Sequence, residues 1–247
     1  MSEEKKLYPC IHVGDGEIAP RVLVCGDPAR AEWIGSLLEN GRCLAKNREY
    51  WTYTGTHKGV PVTVTSHGVG EGGAVIAFES LWRAGAKAII RAGTCGSMQK
   101  DMNPGDLIIV TGACREDGVT DKMIPPSYPA IADYEVISAL SEAADQNKTK
   151  VRKGIVLTGA LFYPGLLESM VKLYAKAGVI AFENEVAGLL VVSSLHHVKA
   201  GAIIMADAPA FELVGVEGYQ PDEEALKIAQ KKQIEIALDA IIKVSVS

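Results

Sequence analysis

Short apolar runs rich in β-branched residues alternate with longer segments of helical period along almost the whole chain. The predicted strands are 21–26, 60–67, 86–93, 106–113, 154–162, 178–185 and 200–207. The predicted helices lie near 29–40, 73–84, 133–146, 165–177, 185–197 and 222–245. This alternation predicts one three-layer α/β/α domain over residues 1–247, with a central sheet between helices.

The composition favours a globular protein that binds small ligands. Of the 247 residues, 48% are hydrophobic and 22% charged, and the formal net charge of -5 arises from acidic and basic residues that are mixed along the chain. This pattern indicates neither a nucleic-acid groove nor a polybasic membrane surface. The start, MSEEKKLYPC, has no apolar core of signal-peptide type, and charged residues interrupt every later apolar stretch before about 18 residues. We therefore expect a cytoplasmic protein with no nucleic-acid or membrane partner.

The cysteines and histidines suggest neither a metal site nor a disulfide framework. The cysteines form no C-x-x-C pair and are expected to be small buried residues; they are Cys10, Cys25, Cys43, Cys95 and Cys114. His196 and His197 are adjacent and would point in different directions on a helix. We expect no metal and no organic cofactor.

Several of the predicted strands end in a polar residue or glycine. Gly26, His67, Arg91, Glu185 and Asp207 each follow an apolar run. Layered α/β proteins bind ligands at the carboxyl ends of their strands. These ends are therefore predicted to converge on one binding site.

Three arginines lie in segments suited to an anion: Arg30 in CGDPAR, Arg48 in NREY and Arg91 in RAGTCGS. A guanidinium at the end of a buried strand is costly unless an anion meets it. Backbone N–H groups of Gly26 and of the turn around Thr94 can add donors, because glycine allows close approach. Together these groups suit a doubly charged tetrahedral ligand such as phosphate. The alternative is that each arginine forms its own salt bridge.

The segment HGVGEGG contains Gly68-x-Gly70-x-x-Gly73, a spacing typical of dinucleotide-binding turns. An NAD site also needs an acidic residue about 20 positions later to hold the ribose, and Arg91 stands there instead. The spacing therefore favours a turn that brings backbone close to another ligand, and it leaves NADP open.

Glu183, Glu185 and Asp207 place carboxyl groups in apolar surroundings. The two glutamates face the same way if their segment is extended, but only one can face a pocket if a helix begins between them. A carboxylic acid in a partly apolar pocket can hold a proton at neutral pH and donate it. The alternative for Asp207 is a helix cap or a turn residue.

A set of segments occurs in one order along nearly the whole chain: VLVCGDPAR, NREY, TSHGVG, IIRAGTCGS, GDLIIVTGACREDG, PAIADYEV, LFYPG, FENEVAGL and ADAP. Together they resemble the hexameric branch of the nucleoside phosphorylase family, which includes purine nucleoside phosphorylases and uridine phosphorylases. The resemblance implies an α/β fold around a central mixed sheet. It also implies phosphorolysis of a nucleoside to free base and pentose 1-phosphate, with inorganic phosphate as co-substrate, by a homodimer that assembles into a hexamer.

The resemblance implies a role for each candidate residue. The implied phosphate site is Gly26, Arg30, Arg48, Arg91 and Thr94, the ribose site is His12, Asn184 and Glu185, and the base site is Phe162, Phe182, Glu183, Cys95 and Gly96. Asp207 is the implied catalytic residue, which donates a proton or hydrogen bond to a purine N7. His12 and Arg48 are implied to reach across the dimer interface into the neighbouring site.

The base is predicted to be a purine. Uridine phosphorylases follow FYPG with a glutamine and an arginine that bind uracil, whereas the matching positions here are Leu166 and Glu168. Asp207 agrees with the purine enzymes, but Asn184 stands where the family usually has methionine and Ala206 where many purine enzymes have serine. The alternatives are a uridine phosphorylase, a methylthioadenosine phosphorylase, a nucleosidase that uses water and a protein that binds nucleosides without turnover.

Overall fold

The computed structural model describes residues 7–163, 165–218, 221 and 223–246. The strands are β1 (Arg21–Cys25), β2 (Glu39–Asn47), β3 (Tyr50–His57), β4 (Val60–Ser66), β5 (Ala88–Ser97), β6 (Leu107–Glu116), β7 (Ala130–Ile131), β8 (Val151–Gly159), β9 (Ala181–Glu183) and β10 (Lys199–Pro209). The helices are α1 (Pro28–Leu37), α2 (Glu71–Ala84), α3 (Tyr134–Gln146), α4 (Val171–Lys176), α5 (Val186–Leu195), α6 (Phe211–Val214) and α7 (Glu223–Ile241). None of the helices in these ranges is both long and apolar enough to cross a membrane.

The strands join one mixed sheet with β5 at its centre. β5 pairs in parallel with β1 and with β10, and the sheet continues from β1 through β4 and β3 to β2. On the other side β10 is followed by β6, β8 and β9, and β9 pairs back onto β5 in antiparallel fashion. Five strands therefore close into a ring, from which the other four main strands extend. The predicted α/β fold with a central mixed sheet is confirmed.

One edge of β5 changes partner part-way along the strand. Val24 of β1 lies opposite Arg91, whereas Phe182 of β9 lies opposite Gly96. Between these two pairings, residues 92–95 have neither β1 nor β9 as a partner. This fork in the sheet leaves an opening at the carboxyl end of β1.

Side chains alternate along the central strands and build a core on both faces of the sheet. Val22, Val24 and Ile89 join the apolar cluster that includes residues of α2 and α5. Leu23 and Ile90 join the cluster that includes residues of α1, α3 and α7. The helices therefore cover the sheet on both sides.

The sequence-based elements differ from the structure in several places. Strands β2 and β3 were not predicted; β2 is largely exposed at the edge of the sheet, so its sequence lacks the apolar alternation of a half-buried strand. The helix predicted over 165–177 begins only at Val171. Leu166 and Leu167, which precede it, are exposed rather than packed against the sheet.

Strands β5 and β10 continue beyond the residues predicted to end them. They run to Ser97 and Pro209, because they pair with each other in parallel over almost their full length. Arg91 and Asp207 therefore lie within strands, and the prediction that they close strands is wrong.

Candidate active site

A cavity of about 420 Å³ opens at the fork in the sheet. The predicted site residues that line it are Gly26, Arg30, Arg91, Thr94, Cys95, Gly96, Phe162, Phe182, Glu183, Asn184, Glu185 and Asp207. The cavity is therefore lined by residues of α1, β5, β9 and β10 and by residues that follow β1, β8 and β9. His12 and Arg48 do not line it.

Arg91 is buried in the cavity wall, with only 4% of its side chain exposed. Its Nη2 donates a hydrogen bond to Glu185 and lies 3.8 Å from a carboxylate oxygen of Glu183. Its Nε and Nη1 have no hydrogen-bond partner in the described part of the chain. A buried cation with unused donors is suited to bind an anion.

Glu183 joins the cavity wall to the start of α5. Its Oε2 accepts hydrogen bonds from the backbone N–H groups of Glu185 and Val186, both at 2.8 Å. Its Oε1 accepts from the hydroxyl of Thr158 at 2.5 Å. Burial raises the pKa of Glu183 to about 7, although Arg91 opposes the shift. This carboxyl group is therefore poised between its neutral and ionised forms near neutral pH.

Glu185 faces the same cavity because α5 begins only at Val186. Its Oε1 accepts a hydrogen bond from the backbone N–H of Gly70 at 2.7 Å, and its Oε2 accepts from Arg91. Burial acts to raise the pKa of Glu185, but the charge of Arg91, together with His67 and the hydrogen bond from Gly70, outweighs burial and the pKa is lowered. The group is therefore an ionised acceptor, which suits the hydroxyl groups of a sugar.

Two glycines let the backbone approach the functional groups closely. A Cβ at Gly93 would lie 1.9 Å from Nη1 of Arg91, so the guanidinium lies directly against the backbone. A Cβ at Gly26 would lie 3.1 Å from the carbonyl oxygen of Gly68. A role was predicted from the sequence for Gly26 but not for Gly93. The available signal was the Arg-x-Gly spacing in RAGT.

Arg30 reaches the cavity from the first turn of α1. This helix begins at Pro28, and the side chain of Asp27 caps it by accepting a hydrogen bond from Ala29 N at 2.9 Å. Arg30 is half-buried and lines the same cavity as Arg91. Two of the three predicted arginines are thus brought together within one chain.

Asp207 lies at a β-bulge in β10. Ala206 pairs with Cys95 and Ala208 pairs with Gly96, so Asp207 is the extra residue between them. Bulges change the direction in which a side chain points and often lie beside active sites. The bulge accounts for a carboxyl group that lines a cavity from within an otherwise buried strand.

Two aromatic rings line the cavity together with Asp207. Phe162 is 43% exposed and stands edge-on to the ring of Tyr163, with 5.1 Å between the ring centroids. Phe182 packs over the backbone of Gly159, where a Cβ would lie 2.4 Å from the ring. Aromatic walls beside a polar group suit a planar heterocycle.

His67 is buried and does not line the cavity. Its Nδ1 lies 2.9 Å from the carbonyl oxygen of Gly68, and its ring packs edge-on to Phe78. Burial, followed by the nearby charge of Arg91, lowers the pKa of His67 to about 4. The ring is therefore neutral at pH 7 and donates from Nδ1 to Gly68.

His12 and Arg48 lie on exposed turns outside the cavity. Both residues have a left-handed backbone, with φ of 51°. The side chain of Asn47 donates a hydrogen bond to the carbonyl oxygen of Cys10 at 2.7 Å, so the two turns are neighbours. Within one chain, these residues do not complete the cavity.

Residues 20–243 match the model of the Phosphorylase superfamily. The chain belongs to this superfamily. The purine nucleoside phosphorylase of Plasmodium vivax (strain Salvador I) is 42% identical over 206 residues, which cover 83% of this chain and 84% of the relative. The uridine phosphorylase of Thermococcus kodakarensis is 37% identical over 200 residues, covering 76% of this chain and 72% of the relative.

A solved structure agrees with this assignment. Purine nucleoside phosphorylase from Toxoplasma gondii in complex with immucillin-H superposes with a TM-score of 0.91 at 30% identity, covering 98% of this chain and 97% of that chain. The predicted resemblance to the nucleoside phosphorylases is confirmed.

Asn184 and Ala206 depart from the pattern of the phosphorylase superfamily, and both make contacts with neighbouring backbone. Nδ2 of Asn184 donates to the carbonyl oxygen of Gly159 at 2.7 Å, which ties this cavity residue to the end of β8. Ala206 is buried beside the bulge, and its backbone bonds to the backbone of Gly105 and Asp106 at 2.8 and 2.9 Å. Leu166 and Glu168 line a second cavity and not the cavity that contains Asp207.

Proposed function

We propose that this protein is a purine nucleoside phosphorylase, which uses inorganic phosphate to cleave the N-glycosidic bond of purine ribonucleosides and deoxyribonucleosides. The products are the purine base and (deoxy)ribose 1-phosphate. The proposal rests on one cavity that contains an aspartate at a β-bulge, an ionised glutamate and a buried arginine, two of whose nitrogen atoms have no hydrogen-bond partner among the described residues. The similarity to relatives named purine nucleoside phosphorylase supports the same base class.

The chemistry requires opposite charges to be stabilised on the two sides of one bond. As the bond from C1′ to the base nitrogen breaks, its electron pair leaves with the base and positive charge develops on the sugar. A phosphate oxygen stabilises that charge and then forms the new bond to C1′. Asp207 donates a hydrogen bond or a proton to N7 of the departing purine, which relieves its negative charge.

Each part of the substrate is assigned to a part of the site. The proposed phosphate ligands are Gly26, Arg30, Arg91 and Thr94, with Arg48 from a neighbouring subunit; Glu185 and Asn184 bind the ribose, with His12 from the neighbour; Phe162, Phe182, Glu183, Cys95 and Gly96 surround the base. In support, Nε and Nη1 of Arg91 are buried without a hydrogen-bond partner among the described residues, and a bound anion would supply one. No organic cofactor or metal enters this scheme.

The active protein is proposed to be a cytoplasmic homodimer that assembles into a hexamer and acts in purine salvage. His12 and Arg48 lie on neighbouring exposed turns outside the cavity, which fits their donation across an interface. A mixing experiment tests this arrangement: Arg48→Ala and Asp207→Asn are each purified alone and then refolded together.

If Arg48 acts in the neighbouring site, one of the two sites in each mixed dimer carries neither substitution. Because about half of the dimers are mixed, the mixture then recovers about a quarter of wild-type activity. Recovery is absent if Arg48 acts in its own subunit. Arg42, which is exposed on β2, offers the matched control: Arg42→Ala is expected to retain activity on its own.

The reaction is tested with inosine, guanosine, adenosine, 5′-methylthioadenosine and uridine, each with and without phosphate, and with separation of base and sugar products. Release of a purine base together with pentose 1-phosphate, only when phosphate is present, is the expected result. Equal release in phosphate-free buffer would assign the protein as a nucleosidase. Cleavage of uridine alone would reject the purine assignment, and tight purine binding without turnover would reject an enzyme.

A further inference from the structure

Helix α7 holds the two central strands from outside the cavity through one buried amide. Gln233 is fully buried, and its Nε2 donates to the carbonyl oxygen of Gly93 at 2.7 Å and to that of Ile203 at 2.9 Å. These carbonyls belong to β5 and β10, which carry Arg91 and Asp207. One amide therefore fixes both strands at the level of the cavity.

The bond to Gly93 bears directly on Arg91. The guanidinium lies against the backbone at Gly93, where even a Cβ would come within 1.9 Å of Nη1. A shift of this stretch of β5 would therefore move the surface on which the guanidinium rests.

Three residues earlier on the same helix, Gln230 contacts the second arginine of the cavity. With its amide oxygen directed toward Arg30, it accepts hydrogen bonds from Nε at 2.9 Å and from Nη2 at 3.0 Å. This contact occupies one edge of the guanidinium and leaves Nη1 outside the pair. The orientation of Arg30 is thus set by α7.

An amide at position 233 carries a cost that a leucine would avoid. Oε1 of Gln233 is buried and has no hydrogen-bond partner within the described ranges. A buried acceptor without a partner is unfavourable, and an apolar side chain of similar shape would remove that penalty. The two hydrogen bonds from Nε2 give a reason for an amide here.

We propose that Gln230 and Gln233 are positioning residues that hold Arg30 and Arg91 in place for phosphate before it binds. The inference rests on the proposed function, since it takes phosphate as the ligand of the two arginines. Groups held in place before binding lose less conformational entropy when the ligand arrives.

The test measures the Kd of inorganic phosphate by titration calorimetry for the wild-type protein, Gln230→Leu and Gln233→Leu. The control is Ile241→Ala, because Ile241 is also fully buried on α7 but packs in the apolar cluster two turns further along. We expect each glutamine variant to raise the Kd of phosphate about three- to tenfold, and the control to leave it unchanged. A rise of this size corresponds to about the net free energy of one hydrogen bond. The KM for phosphate should rise in parallel, whereas the KM for the nucleoside should not.

A Kd unchanged in both glutamine variants would overturn the inference, even if Gln233→Leu is less stable. If Gln233→Leu fails to fold, Gln230→Leu decides the outcome, because that residue is only half-buried. Absence of phosphate binding by the wild-type protein would instead reject the proposed function, and this inference with it.

Discussion

Replacing Arg91 by methionine would leave a cluster of buried carboxyl groups without its cation. Glu185 and Glu183 contact Arg91 directly. Glu71, in the first turn of α2, is also buried and near enough for its charge to act on Arg91. Methionine preserves much of the apolar stem while it removes the charge and the hydrogen bonds.

The expected loss is large and depends on pH. Removing one partner of a buried ion pair typically costs about 3–5 kcal/mol of folding free energy. In the variant, burial is no longer opposed by Arg91, so the folded pKa of Glu185 rises above its unfolded value. The folded state then binds more protons than the unfolded state, and stability is lost as pH rises through that raised pKa. Each unit of increase adds about 1.4 kcal/mol to the loss.

Urea unfolding at pH 5 and pH 8 measures this effect, with the free energy of unfolding of the variant compared with that of wild type at each pH. The loss should be greater at pH 8. Arg115→Met is the matched control, because Arg115 is also buried but donates mainly to oxygens without charge, among them the carbonyls of Pro125 and Tyr128. A loss in Arg91→Met that is equal at the two pH values, or below about 1 kcal/mol, would show that Arg91 does not keep these buried carboxyl groups ionised.

Three further perturbations follow from the same geometry. Gly93→Ala places a Cβ where Arg91 lies, so phosphate binding should weaken at least tenfold. The control is Gly72→Ala, whose Cβ would meet no atom within 4 Å and which should leave phosphate binding unchanged. Equal Kd values of the two variants by calorimetry would contradict this prediction. Because the pKa of His67 is lowered in the folded protein, the free energy of unfolding should fall as pH drops from 6.5 toward about 4. In this range the unfolded chain takes up the proton readily and the folded chain does not, which lowers the free energy of unfolding by about 3 kcal/mol at most. Urea unfolding across that range should show a shallower fall in His67→Leu, and identical slopes would exclude the effect. Asp207→Asn should lower kcat for inosine by about 10² to 10⁴ with an unchanged Kd for phosphate, and unchanged turnover would remove its role as proton donor.

Much of the site was predictable because its residues lie in short, distinctive segments. Arg91 stands out as a charge after an apolar run, and Asp207 interrupts another such run. Gly93 and Gln233 were not identified. The Arg-x-Gly spacing does not by itself show that the guanidinium lies against the glycine, and nothing in the local sequence of Gln233 distinguishes it from other polar residues. Their importance depends on a contact between residues 140 positions apart in the chain.

The placement of His12 and Arg48 shows a different limit. Their segments were predicted to belong to the site, yet one chain leaves both outside the cavity. Sequence resemblance combines residues from different subunits into one set of positions, whereas the fold of a single chain places only its own side chains. The mixing experiment with Arg48→Ala decides whether a second subunit supplies Arg48.

Local patterns in the sequence determined the alternation of strands and helices, the absence of signals for a metal or disulfide, and the resemblance to the superfamily, because these depend on residue type and short spacing. The tertiary structure decided the fork beside β5, the bulge at Asp207 and the pairing of Glu183 and Glu185 with Arg91. The reason is that strand register and the path of the sheet join residues remote in the chain, and a shift of one residue in register would turn these side chains to the other face.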